Sequence, residues 1–317
     1  MNIKQKPVKR RNTDENRISR ISIIGVIRVS AIFDRMNVQK KLAISYLKNK
    51  LTLLTFINKR RGGKEAFRLF CTPLVRYKGK EADIFKNATP REFKLEGNII
   101  RGYECNTSGH KTILILHGFS SSCHKFDKYA TALIEKNYRV LAFDAPAHGF
   151  SDGKTVNALE YRNMIEKVAE LYGPVDTFMG HSFGGIAVSL ALENIPHDEN
   201  TKLVLIAPAT ETSSAIDGAL KFLNISSSSK IRQALDDHIY KVGKRPTAWY
   251  SIRRAIKNIK ADVLWIHDED DDITPLTDAL KVKEDANENV RFIITSGLGH
   301  QKIYKNTTVK EAILDFL

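Results

Sequence analysis

From about residue 90 the chain alternates between short apolar runs and segments with helical spacing. Thr112–His117, Arg139–Asp144, Val175–Gly180, Lys202–Ala207, Asp262–His267 and Val290–Thr295 mostly have near-continuous apolar centres such as Ile-Leu-Ile-Leu and Val-Leu-Trp-Ile. Such runs are expected of strands buried on both faces of a parallel sheet. Glu92–Leu95 and Ile99–Glu104 alternate instead and predict a hairpin. Between these runs, helical spacing covers roughly 124–136, 155–172, 183–195, 247–259, 276–286 and 307–317. The alternation predicts an α/β fold with a doubly wound, mostly parallel sheet and helices on both faces. In that architecture the ligand crevice lies beyond the carboxyl ends of the strands.

One connection is too long for a single crossover helix: residues 209–261 separate two predicted strands. Helix-like spacing near 211–223 and 228–242, joined by the serine run 226–229, predicts a small helical cap inserted at about 209–246. Its apolar residues include Ile216, Leu220, Phe222, Leu223, Leu235 and Tyr240. Upstream of the alternation, residues 36–61 predict one amphipathic helix with Leu42, Tyr46, Leu47, Leu51 and Leu54 on one side. Lys64 to Pro73 predicts a short helix ended by its proline and docked on the core. The expected organisation is a basic extension over 1–80, helical at 36–73, and a main domain over 81–317. Residues 1–35 lack regular periodicity and are expected either to be disordered or to lie upstream of a natural start at Met36.

Charge sharpens that division. The formal net charge is +14, yet residues 1–80 hold 21 Lys and Arg against 4 Asp and Glu, while 81–317 hold 29 against 32. The basic character therefore belongs to the extension, and a nucleic-acid partner is not expected. A basic amphipathic helix can meet an anionic membrane surface, but a solvated face packed on the body is the favoured expectation. The isolated cysteines Cys71, Cys105 and Cys123 suggest a reducing compartment with buried thiols. No run reaches the roughly 18 apolar residues of a spanning helix. Ile21 to Phe33 is shorter, carries Arg28, and lacks a signal-peptide cleavage site before Asp34-Arg35. The expected location is cytoplasmic.

The candidate chemistry sits at predicted strand ends. Val175-Asp-Thr-Phe-Met-Gly180-His-Ser182-Phe-Gly184-Gly185 is an apolar run, a serine framed by glycines, then helix-forming residues. This layout suits a sharp strand-to-helix turn that exposes a hydroxyl. By itself the pentapeptide has roughly a one-in-ten chance of arising by accident in a chain of this length. A serine nucleophile needs an imidazole base, and the imidazole needs an orienting acid. His300 lies in the Gly-rich loop beyond the last predicted strand. The acid is expected in His267-Asp-Glu-Asp-Asp-Asp-Ile-Thr-Pro275, with Asp271 first and Asp270 and Asp272 as alternatives. Some carboxylates of that run must be solvated, because five adjacent charges cannot all be buried. A calcium loop does not fit, since Ile273 and Ala279 occupy its glycine and glutamate positions. Oxyanion donors are expected at the backbone N–H of Phe183 and of Phe119, the latter in His117-Gly118-Phe119-Ser120.

Together, His117-Gly118-Phe119, Asp144-Ala-Pro-Ala-His148-Gly149-Phe-Ser151, the Ser182 turn, the acidic turn ending at Pro275 and Gly299-His300 resemble the α/β-hydrolase superfamily in order and spacing. Within it, the chain resembles the single-domain esterase, lipase and acyl-peptidase-like group. The resemblance covers roughly residues 90–317. It implies an eight-stranded sheet, a Ser-Asp-His triad on Ser182, Asp271 and His300, a small-molecule acyl substrate and no cofactor or metal. Relatives usually carry glycine where this chain has Asp268. The expected activity is cleavage of a carboxylic ester or related acyl bond. Acyl transfer, thioester, peptide or C–C cleavage, or a non-catalytic binding role on the same scaffold, are the alternatives.

Overall fold

The computed structural model describes residues 38–317 apart from 78 and 286. The expectations for residues 1–35 and for Met36 as a start lie outside the described residues. Eight strands form one sheet: β1 Thr89–Leu95, β2 Asn98–Cys105, β3 Lys111–Leu116, β4 Tyr138–Phe143, β5 Thr177–His181, β6 Lys202–Ile206, β7 Asp262–Asp268 and β8 Val290–Thr295. Their spatial order is β1-β2-β4-β3-β5-β6-β7-β8. The hairpin β1–β2 and the β2–β4 pair are antiparallel, and the remaining pairs are parallel.

The helices are α1 Val38–Ile57, α2 Lys59–Phe70, α3 Asp83–Lys86, α4 Asp127–Glu135, α5 Ala158–Tyr172 and α6 Phe183–Ala191. They continue with α7 Thr212–Phe222, α8 Lys230–Gly243, α9 Ile252–Ala255, α10 Leu276–Glu284, α11 Gly299–Lys302 and α12 Thr307–Phe316. α5 begins with a capping box: the Asn157 side chain accepts from the Leu159 and Glu160 N–H groups, and Glu160 reaches back to the Asn157 N–H.

The central strands are apolar throughout because both faces are covered. Leu114, Leu116, Phe178, Leu203, Leu205, Val263 and Trp265 join one hydrophobic cluster. Their alternate neighbours Ile113, Ile115, Met179, Val204, Ile206, Leu264 and Ile266 join the other. The two-residue period of a strand sorts them onto opposite sides. From β3 the chain crosses to β4 on one side and later to β5 on the other. This reversal opens a crevice at the carboxyl ends of β3 and β5, where the Phe119 loop and Ser182 emerge.

Four expectations change. The helix expected over 36–61 ends at Ile57, because Asn58 is extended (φ −154°) and its side chain caps α2 by accepting the Arg61 N–H. The short helix expected from Lys64 is the second half of α2. It packs on α8, with Gly63 so close that a Cβ there would lie 2.0 Å from the Ala234 carbonyl oxygen. The faces of α1 also divide: Ile44 and Leu51 are buried, whereas Leu42 and Tyr46 are exposed. Residues 247–259 are not one helix. The Tyr250 carbonyl accepts the Thr212 N–H, and the Ile252 N–H donates to Thr210. These bonds hold Ser251 extended (φ −141°, ψ 129°) before its side chain caps α9.

Residues 209–246 carry α7 and α8. Ile216, Leu220, Ile231, Leu235 and Ile239 are buried in the same cluster that Phe119 and Phe183 pack against, while Phe222 and Tyr240 are exposed. Cys71, Cys105 and Cys123 are buried free thiols. No helix among the described residues is long and apolar enough to cross a membrane.

Candidate active site

Ser182 stands between β5 and α6 with φ 54° and ψ −115°. A side chain in that region is strained, so the turn is held by its surroundings. The Ser182 N–H donates to the Ile206 carbonyl, and the Ser182 carbonyl accepts from Gly185 and Ala209. Gly184 makes the turn possible: a Cβ there would come within 2.5 Å of the Leu116 carbonyl oxygen and 2.8 Å of that of His117. The turn therefore presses directly on the end of β3.

The structure brings Ser182, His300 and Asp271 together from the ends of β5, β8 and β7. Ser182 Oγ lies 2.9 Å from His300 Nε2, and His300 Nδ1 lies 2.8 Å from Asp271 Oδ2. A carboxylate can only accept, so Nδ1 carries the proton and Nε2 is left to accept the hydroxyl hydrogen. Ser182 and His300 are each 8% exposed. Asp271 also accepts the Ile273 and Thr274 N–H groups at Oδ1 and the Thr274 hydroxyl at Oδ2. Burial raises the Asp271 pKa, but the His300 bond, the His300 charge and the two amides outweigh it and hold the carboxyl below its ordinary range.

The two alternatives for the acid are placed differently. Asp270 is exposed and its carboxylate accepts the Gly297 N–H, while Asp272 is exposed. Asp268 is fully buried and accepts the Gly299 and Asp270 N–H groups at Oδ1 and the Thr295 hydroxyl and Leu298 N–H at Oδ2. Its acidity rises despite burial because these four donors face it.

Phe119 and Phe183 meet edge to face at 5.5 Å, and a Cβ on Gly118 would lie 3.1 Å from Ser182 Cβ. The Phe119 loop thus runs against the serine. Phe183 opens α6, where an N–H has no intrahelical carbonyl to bond. The Phe119 loop is braced from behind. Asp144, almost fully buried, accepts from the Ser122 hydroxyl and from the Cys123 and Phe150 N–H groups. His117 Nδ1 donates to the Gly118 carbonyl and Nε2 accepts the Ala145 N–H. His148 Nε2 accepts the Ser120 N–H. Burial holds His117 and His148 neutral, the latter with a pKa lowered to about 3.

Sequence reasoning missed four supporting residues. Thr274 orients Asp271, and His267 Nε2 donates to the Thr274 carbonyl. His181 Nε2 lies 3.2 Å from the His300 carbonyl and its ring packs on Tyr304. Asp268 stands out in the sequence only as a departure from the glycine that the resemblance implies. Its position at a strand end was the available signal. Thr274 and His181 also adjoin recognised positions, but their contacts with His300 span 26 and 119 residues. Cys123, His124 and Asp144 offer donor atoms within 4.8 Å of one another. They do not fit a metal, because burial and the Asp144 charge push the Cys123 thiol up and the Asp144 carboxylate already takes three donors.

Residues 107–267, just over half of the chain, match the family described as serine aminopeptidase, S33. The chain belongs to this α/β-hydrolase family. The match takes in the Phe119 loop and the Ser182 turn and stops short of Asp271 and His300. A hydrolase of Bacillus subtilis, YugF, is 30% identical to this α/β-hydrolase over 108 residues, 32% of this chain and 39% of that protein. The dihydrolipoyllysine-residue acetyltransferase component of an acetoin cleaving system from Pseudomonas putida is 30% identical over 132 residues, 40% of this chain and 35% of that protein. The chain thus spans about two fifths or less of the length of these curated relatives. The Pyrococcus furiosus esterase PF2001 superposes with a TM-score of 0.57 at 18% identity, covering 78% of this chain and 97% of that one. At that identity the likeness establishes the fold of the hydrolase.

Proposed function

We propose that the protein is a serine hydrolase that cleaves a carboxylic ester or related acyl bond through an acyl-enzyme. The observation that carries this reading is the Ser182–His300–Asp271 hydrogen-bond chain, with Ser182 on a strained turn. His300 Nε2 takes the proton as Ser182 Oγ attacks the carbonyl carbon. The tetrahedral oxyanion is met by the Phe119 and Phe183 N–H groups. Asp271 fixes the His300 tautomer and stabilises the imidazolium. His300 then gives its proton to the leaving group, and water reverses the sequence to release the acid.

Residues 209–246 act in this reading as a cap that selects the substrate, since their apolar residues share the cluster on which Phe119 and Phe183 pack. The likeness to an acetyltransferase component supports acyl transfer as a second outcome at the same serine. The test is a series of chromogenic esters, thioesters and aminoacyl amides of graded acyl length, with and without alcohol or thiol acceptors, on wild type and Ser182→Ala. Short to medium esters are expected to turn over, with a loss of about 10³-fold or more in the variant. Equal turnover by both proteins would remove Ser182 from the mechanism. Wild type should also react with a fluorophosphonate, and a folded protein that stays unlabelled would support the non-catalytic binding role.

A further inference from the structure

Helix α1 has two apolar faces. Ile44, Leu51 and Thr55 are buried on one side. Val38, Leu42, Tyr46, Leu53, Phe56 and Ile57 are exposed, Leu53 at 58% and Phe56 at 87%. At 3.6 residues per turn the exposed set falls in one sector about 100° wide, opposite the buried set. A single exposed leucine needs no explanation; six large apolar residues along a 20-residue helix do.

The charge around this stripe indicates its occupant. Residues 38–70 contain nine Lys and Arg and one acidic residue, Glu65, a net +8. Arg60, Arg61 and Lys64 are exposed on the first turns of α2, immediately after the stripe. The field reaches α8: burial first, then the charges of Lys241, Lys64 and Arg60, push His238 below its ordinary pKa. A second copy laid on this face would set +8 against +8. Residues 1–37 carry nine Lys and Arg against three acidic residues, so their charge has the same sign as this face and does not complement it.

We infer that the outer face of the α1–α2 hairpin docks on an anionic lipid surface. Leu53, Phe56 and Ile57 enter the acyl boundary, and the basic residues of α1 and the start of α2 meet the headgroups. Apolar insertion and a basic patch are the two signals that together give stable peripheral binding. Because α2 packs on α8, docking would bring the region 209–246 to the lipid surface. The inference does not depend on the hydrolytic reading.

The test uses the full-length chain with Phe56→Cys, labelled by a polarity-sensitive maleimide dye; Cys71, Cys105 and Cys123 are buried and give little background. Without vesicles the introduced thiol should react as fast as a solvent-exposed one. Adding phosphatidylcholine vesicles containing phosphatidylglycerol should shift the dye emission to the blue, pure phosphatidylcholine should not, and added salt should reverse the shift. In cosedimentation of the unlabelled chain, Leu53→Ser with Ile57→Ser should lower partitioning about tenfold while fluorophosphonate labelling of Ser182 stays unchanged. Slow labelling without vesicles would mean that the face is already covered by the chain itself or by a second copy, and would overturn the inference. So would an equal shift with neutral vesicles, or partitioning that ignores the two serine substitutions.

Discussion

The Gly299 N–H donates to Asp268 Oδ1 at 2.8 Å, joining the end of β7 to the residue that precedes His300. The same carboxylate takes the Leu298 N–H, the Thr295 hydroxyl and the Asp270 N–H, so one side chain ties down the turn that presents the imidazole. Asp268 thus acts as a clamp on this turn. Asp268→Gly should lower kcat about 10- to 100-fold with KM little changed, because a base displaced by a fraction of an ångström still permits substrate binding. Fluorophosphonate labelling of Ser182 should slow in parallel. A variant with a lower Tm but wild-type kcat would limit Asp268 to stability.

Gly184→Ala tests the contact between the serine turn and the end of β3 that leads into the Phe119 loop. The added methyl would collide with the Leu116 and His117 carbonyl oxygens, which are backbone atoms of a buried strand end and cannot swing aside. Overpacking of this kind costs about 1–3 kcal/mol, and the displacement moves Ser182 away from Phe119. Urea denaturation should show the loss of stability and ester turnover should fall by about 10²-fold. Wild-type turnover would show that the turn can relax without cost to the site.

The sheet and the chemical residues were readable in the sequence because each is locally encoded. Apolar runs mark doubly buried strands, and glycines mark the turn at Ser182. Asp271 could be ranked above its neighbours but not separated from them, since neighbouring carboxylates differ only in what faces them: Thr274 and His300 for Asp271, Gly297 for Asp270. The N-terminal helices were harder for another reason. A helix apolar on two faces shows one blurred stripe, which placed Leu42 and Tyr46 with Leu51 although they point elsewhere. Asn58 is a good helix cap and was the local signal for the break. The interruption at 250–251 had no such signal, because Thr210 and Thr212 impose it from 38 or more residues away.

Acid should destabilise the fold before its carboxylates titrate. Burial lowers the pKa of both His148 and His181 to about 3. The unfolded chain binds a proton at each below about pH 6.5 while the native state does not, so stability falls as pH drops from there towards 3. The slope is about 1 kcal/mol per pH unit for each fully neutral histidine. Asp144, Asp268 and Asp271, all held below their ordinary range, add to the loss only below about pH 4. Tm measured across this range should decline from near pH 6, and His148→Gln should flatten the upper part of the decline. A Tm that stays level down to pH 4 would contradict neutral burial of these rings.

The segment after α8 is anchored by Arg254. Its guanidinium makes a two-pronged bond to Glu193, at 2.7 and 2.5 Å, donates from Nε to the Trp249 carbonyl, and lies 4.0 Å over the Trp249 ring. Glu193 sits just past the end of α6, the helix that follows Ser182, so this link ties the segment after α8 to the helix behind the serine turn. Arg254→Ala leaves a mostly buried carboxylate without its cation and should cost about 2–3 kcal/mol in urea denaturation. Arg254→Lys keeps the charge but loses the fork and the flat stacking surface, and should recover less than half of that. If lysine restores full stability, charge alone accounts for the link. If it does not, the planar geometry holds the segment after α8 to α6.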